Sequence, residues 1–237
     1  MSNLVRSELA SSTDASLIRF DGVSKIYQTP AGDFTALKDV NLEISKGELV
    51  SIIGKSGSGK TTLINMLTGI DQPTSGEISV DGVAIQELNE GQRAIWRGKN
   101  IGIVFQFFQL LPTLTLYENI RIPMDFGGTL DYTSRRHRTN ELLELVGLSE
   151  HANALPARLS GGQQQRAAIA RALANDPPII ATDEPTGNLD PISADLVIGL
   201  FEDLVALGKT VLVVTHDEEL AGSAPRIIRL SDGEVID

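Results

Sequence analysis

The sequence predicts an α/β fold built on a mostly parallel sheet, and three observations carry that expectation. Apolar, β-branched runs alternate with helix-like stretches along the chain. One uninterrupted apolar run, over 49–53, leads into a glycine-rich turn and then a helical pattern. Two further apolar runs end in polar residues capable of chemistry, which is where ligands of open α/β sheets sit.

Taken in order, residues 1–16 are Ser-rich and mixed in charge, without the apolar region of a secretory signal, and read as a flexible leader before a domain over 17–237. Strands are expected over 18–20 and 40–44, the second alternating as a half-buried strand does. The run 49–53 is a strand and 61–67 a helix, followed by a hairpin-like stretch over 76–82. From about 86 to 160 the character changes, with a helix over 139–146 carrying Leu142, Leu143, Leu145 and Val146, and a helical insertion is expected there. The parallel-sheet pattern returns over 179–182, 211–215 and 227–230, the first two each introduced by a helix-like stretch.

Composition narrows the classes. At 237 residues, 41% hydrophobic and 22% charged, the chain can bury a full core as one domain. No apolar stretch approaches the ~18 to 20 residues that cross a bilayer, so direct membrane insertion is not expected. Cysteine is absent, which removes disulfides and thiolate metal sites and makes the cytoplasm the default compartment. With 31 acidic against 20 basic residues the net charge is -11, which repels nucleic acid and anionic lipid at long range. No nucleic-acid partner is expected, and any membrane attachment would run through a protein.

Gly54-Lys55-Ser56-Gly57-Ser58-Gly59-Lys60-Thr61 fits G-x-x-x-x-G-K-[ST], with the strand before it and the helix after it that phosphate binding needs. Glycines let the backbone wrap so that successive N–H groups point inward at a helix N-terminus, a nest for anionic oxygens. Lys60 is expected to reach the β- and γ-phosphates, the Thr61 hydroxyl to ligate Mg²⁺, and Thr62 to donate toward the α-phosphate. The apolar run 179–182 then delivers Asp183 and Glu184 together. Asp183 is placed to hold the metal, and Glu184 to act as general base on the water that attacks the γ-phosphate. His216 follows the run 211–215 in the same way and could orient that water.

Leu159-Ser160-Gly161-Gly162-Gln163-Gln164-Gln165-Arg166 contains an S-x-x-Q capping box, Ser160 with Gln163, opening a helix expected over 163–174. The segment also resembles the signature sequence of ABC ATPases, and with the phosphate loop and Asp183-Glu184 the chain is identified as a member of that family from about residue 18 onward. The resemblance implies an ATPase with ATP and Mg²⁺, a P-loop NTPase core, an N-terminal antiparallel β subdomain and an inserted α-helical subdomain. It implies a dimer, homomeric or with a related chain, in which Ser160, Gly161, Gly162 and Gln163 face ATP held by the opposite cradle. Gln106 matches the glutamine that senses Mg²⁺ and attacking water, Tyr27 the aromatic that stacks on adenine, and Asp190 the loop aspartate that crosses the dimer interface. Thr182, where the family usually has an aliphatic residue, and Lys55, a charge inside the cradle, depart from the pattern.

The run 184–190 (Glu-Pro-Thr-Gly-Asn-Leu-Asp), with 107–115 and Glu118-Asn119, is similar to the branch serving lipoprotein release, macrolide or peptide export and cell-division complexes. That implies a subunit at the cytoplasmic face of the membrane, energising a separate integral permease, with 107–116 as a candidate docking stretch. The alternative from another class is an ATPase that regulates an extracytoplasmic enzyme through a membrane partner.

Overall fold

The computed structural model describes residues 16–128 and 130–236, so the leader expected over 1–16 lies outside the described residues except at Ser16. In chain order the first half comprises β1 (Ile18–Thr29), β2 (Gly32–Ile44), β3 (Leu49–Ile53), α1 (Lys60–Leu67), β4 (Ser75–Val80), β5 (Val83–Ala84), α2 (Glu90–Asn100) and β6 (Ile101–Val104). The second half comprises α3 (Leu116–Gly127), α4 (Tyr132–Leu145), α5 (Gly161–Ala172), β7 (Ile179–Asp183), α6 (Pro191–Ala206), β8 (Thr210–Thr215), α7 (Glu218–Gly222), β9 (Arg226–Ser231) and β10 (Glu234–Val235).

Strands β1 and β2 form one antiparallel hairpin from Ile18 opposite Ile44 out to Thr29 opposite Gly32. β4 pairs antiparallel with the other edge of β1. Both hairpin strands run further than the sequence suggested. Their outer parts, around 25–35, are half-buried or exposed and lack apolar alternation, so cross-strand pairing holds them where burial gives no signal.

The second sheet has the order β10-β9-β3-β8-β7-β6, parallel throughout except for β10. Its apolar runs are continuous because both faces are covered. Val50, Ile52, Ile179, Ala181, Leu212 and Val214 point to the core shared with α1 and the antiparallel sheet. Leu49, Ile180, Val211 and Val213 point to the opposite core with α3, α4, α5 and α6. Each such buried Val, Leu or Ile contributes about 1.5–3 kcal/mol over its exposed state. The buried Thr182 is accommodated because its hydroxyl donates to the Leu212 carbonyl at 3.2 Å.

The expectation of a helical insertion over 86–160 needs one correction. Ile101–Val104 within it is β6, the edge strand of the parallel sheet, paired with β7 from Ile101 opposite Ile179 to Val104 opposite Thr182. A four-residue strand following a helix leaves no periodicity to read. Helical structure proper follows it, as α3 and α4 packed against α5. Among the described residues, no helix is long and apolar enough to cross a membrane.

Candidate active site

The loop between β3 and α1 is wrapped by its glycines. Gly57 (φ 82°) and Gly59 (φ 105°) are left-handed, and a Cβ on Gly54 would run into the Leu230 carbonyl and the Ser58 hydroxyl. The Ser58 amide donates to the Lys55 carbonyl at 3.1 Å, and Gly233 at the β9–β10 turn donates to the Ser58 carbonyl at 3.0 Å, bracing the loop from behind. No side chain caps α1, so its N-terminal amides keep their capacity for an anion. Lys60 is only 8% exposed, and its ammonium donates to the Gly54 (2.7 Å) and Lys55 (3.0 Å) carbonyls, leaving a third N–H for a ligand.

Asp183, the last residue of β7, sits across from this loop and accepts a 2.9 Å hydrogen bond from the Thr61 hydroxyl. Burial pushes the Asp183 carboxyl up, and the Glu184 charge adds to this, against the Thr61 hydrogen bond and the Lys60 charge. Glu184 is held in a left-handed conformation (φ 50°), with its amide donating to the Val214 carbonyl at 2.8 Å. Such a conformer is costly for a non-glycine residue and persists only where its surroundings fix it. They do so here from the end of β8 and the residue after it: the Glu184 carboxylate pairs with His216 Nδ1 at 2.7 Å and accepts from the Thr215 hydroxyl at 3.2 Å. Thr215 is the member of this cluster that sequence reasoning missed. Its signal was its place immediately before His216.

Gln106, two residues beyond β6, joins them along one wall of a cleft of about 860 Å³. Gly54, Ser56, Gly57, Gly59, Lys60, Thr61, Thr62, Asp183, Glu184 and His216 line the same cleft, as does Lys55. Among the described residues no group of three or more His, Cys, Asp and Glu could hold a metal by itself. The donor set present, a hydroxyl and a carboxylate in contact with a glutamine nearby, fits a hard divalent ion that takes its remaining oxygens from phosphate and water.

The structure does not bring every expected residue to the cleft. Ser58 turns inward, its hydroxyl buried without a partner among the described residues. Tyr27 does not line the cleft: its hydroxyl donates to Asp71 at 2.9 Å, and the Lys25 ammonium lies 4.8 Å from its ring. Burial and the Asp71 carboxylate push the Tyr27 hydroxyl's pKa up, against a hydrogen bond with the neighbouring Thr62. Phe34, the cross-strand partner of Tyr27 and so on the same face, lines the cleft and is 53% exposed.

Ser160, Gly161, Gly162, Gln163 and Asp190 also lie outside this cleft. The expected capping box is present, with Ser160 N to Gln163 Oε1 at 2.9 Å and Gln163 N to Ser160 Oγ at 3.3 Å. Gly162 packs so tightly that a Cβ there would collide with Ser193. Asp190 caps α6, accepting from Ser193 N at 3.0 Å and Ser193 Oγ at 2.6 Å, and these bonds hold its carboxyl below the usual range.

Residues 37–187 match the sequence profile of the family described as ABC transporter. An uncharacterized ABC transporter ATP-binding protein of Methanocaldococcus jannaschii is 47% identical over 221 residues, covering 93% of this chain and 98% of the relative. A macrolide export ATP-binding/permease protein of Paracoccus denitrificans is 43% identical over 224 residues, but those span only 33% of its length. A second Methanocaldococcus jannaschii cassette, solved as a dimer in a post-hydrolysis state bound to ADP and Pi, superposes with a TM-score of 0.86 at 45% identity, covering 93% of this chain and 97% of that one.

Proposed function

The chain belongs to the ABC transporter family, as an ATP-binding and ATP-hydrolysing domain of the type found in macrolide exporters, and from that premise we propose how its residues divide the work. The amides of 57–61 and the Lys60 ammonium hold the β- and γ-phosphates, and Thr62 donates toward the α-phosphate. The base lies on the face shared by Tyr27 and Phe34. Thr61, Asp183 and Gln106 hold Mg²⁺, whose charge would offset both the phosphate oxygens and the cost of keeping Asp183 ionised under burial. Glu184 takes the proton of the attacking water. His216 and Thr215 fix its carboxylate by one contact to each oxygen, which leaves lone pairs free to take that proton.

The single observation that carries this reading is Glu184, held in a strained conformer by Thr215 of β8 and His216 just beyond it, across from a braced, uncapped phosphate loop. Ser160, Gly161, Gly162 and Gln163 lie on the same chain yet away from the cleft, and the proposal is that they close the cleft of a second copy, with Asp190 at the interface. Support comes from the similar cassette solved as a dimer. By the same logic the dimer energises a membrane permease for export, peripheral to the cytoplasmic face, as the relatives named ATP-binding/permease proteins join the two functions in one chain.

The test of the cradle is Lys60→Ala. Its expected outcome is nucleotide affinity, read by titration with a fluorescent ATP analogue, reduced together with Mg²⁺-dependent phosphate release. Unchanged affinity would remove Lys60 from the phosphate site.

A further inference from the structure

Two consecutive non-glycine residues just beyond Gln106 are left-handed, Phe108 (φ 59°) and Gln109 (φ 52°). Such conformers cost about 1–3 kcal/mol each and need outside restraint. The restraint comes from α5: the Arg171 guanidinium donates to the Phe108 carbonyl at 2.7 Å and to the Gln109 carbonyl. Arg171 is largely withdrawn from water, and burial lowers its pKa. Among the described residues its hydrogen bonds go to these two carbonyls, so its charge is spent on a backbone turn rather than on a carboxylate.

The other end of the loop is fixed as firmly. The fully buried Asn119 of α3 accepts from Leu111 N at 2.7 Å and donates to the Leu111, Leu114 and Thr115 carbonyls. The segment 108–115 is therefore hydrogen-bonded to neighbouring helices at both ends, to α5 at Phe108 and Gln109 and to α3 at Leu111, Leu114 and Thr115. The Phe108 ring lies against the start of α5, its tip 3.9 Å from where a Gly161 Cβ would stand, and Leu189 approaches the same point at 3.7 Å. One residue, Phe108, thus has its backbone gripped by Arg171 near the C-terminal end of α5 and its ring seated at the N-terminal end, beside Ser160.

We infer that Arg171 is a positioning residue: with Phe108 it forms a strut that locks the loop leaving Gln106 to α5, and so sets where Ser160 and Gly161 stand relative to the phosphate site. Displacement of the 105–111 loop, which carries the exposed Phe105, Phe107 and Leu111, then moves the start of α5 as a body. Without the strut the loop stays linked to α5 only indirectly, through Asn119 of α3 and the core that α3 shares with α5. A lysine at 171 could still donate to both carbonyls, but from one point at the end of a shorter, flexible arm rather than from a fixed planar fork, so it holds the turn less firmly. The inference rests on the reading that Ser160 and its neighbours act on ATP held by a second copy.

The test uses the full chain in a Glu184→Gln background, comparing Arg171→Met, Arg171→Lys and Phe108→Ala. Three quantities are read: affinity of the monomer for ATP, the ATP-dependent dimerisation constant by light scattering, and Tm. The expected result is monomer affinity unchanged and dimerisation weakened about tenfold or more in Arg171→Met and Phe108→Ala, with Arg171→Lys between them and the parent. Folded variants that dimerise as the parent does would overturn the strut. Should Arg171→Met fail to fold, Phe108→Ala, which keeps the guanidinium, decides by the same criterion. If the parent itself binds ATP without dimerising, the two-copy reading fails instead, and the two failures are told apart.

Discussion

Replacing Glu184 by Gln separates chemistry from architecture because the two side chains have the same shape. The carboxylate has two partners, His216 Nδ1 at 2.7 Å and the Thr215 hydroxyl at 3.2 Å. An amide keeps one oxygen as acceptor and can donate to the imidazole in its other tautomer, so the net structural loss is about 1–2 kcal/mol. In a domain of this size that lowers Tm by only a few degrees, roughly 2–4 °C per kcal/mol. The left-handed backbone and its bond to the Val214 carbonyl are untouched. The amide cannot accept a proton, and loss of a general base costs about 10²- to 10⁴-fold, which is about 2.7–5.5 kcal/mol of barrier. The loss in turnover should therefore exceed the loss in stability. Phosphate release under single-turnover conditions, nucleotide titration and thermal melting on one preparation give all three numbers. Turnover near that of the parent would remove Glu184 from its role, and a fall in affinity as large as the fall in turnover would mean that the cleft had collapsed.

Two further outcomes follow from packing and burial. Because the Asp183 carboxyl is pushed up by burial, its contribution to stability is present below the ordinary carboxylate range and lost as pH rises through the raised folded value, so at neutral pH the ionised group is a cost. Asp183→Asn should raise the Tm of the nucleotide-free chain at pH 7 while abolishing Mg²⁺-dependent turnover, and the gain should shrink as pH falls; a gain that grows toward low pH would reverse the sign assigned to Asp183. Gly162→Ala should cost about 1–3 kcal/mol because its Cβ meets Ser193, and Ser193→Gly should recover part of that loss in a double-mutant cycle read by denaturant unfolding, strictly additive effects being the contrary result.

The parts of the fold that the sequence shows are those where one physical demand dominates. Strands β3, β7 and β8 are buried on both faces and read as unbroken apolar runs, and the glycine loop between β3 and α1 is fixed by steric need. The capping box at Ser160 and Gln163 is local and therefore legible. What was hidden depends on partners distant in the chain. The outer hairpin of β1 and β2 is held by pairing, and β6 is too short to show a period. Phe34 enters the cleft wall only through its register opposite Tyr27, and Arg171 finds its carbonyls some sixty residues upstream. No local pattern announces either.

The claim on which the account turns is that each working site is shared between two chains, and mixing two inactive variants tests it most directly. Lys60→Ala spoils the cradle and Ser160→Arg spoils the opposing helix start, so each variant alone should release almost no phosphate from Mg²⁺-ATP. In an equimolar mixture, mixed dimers contain one site with both halves intact, and activity should reappear. A mixture as inactive as its components, at concentrations where the parent chain dimerises and turns over, would contradict the shared site.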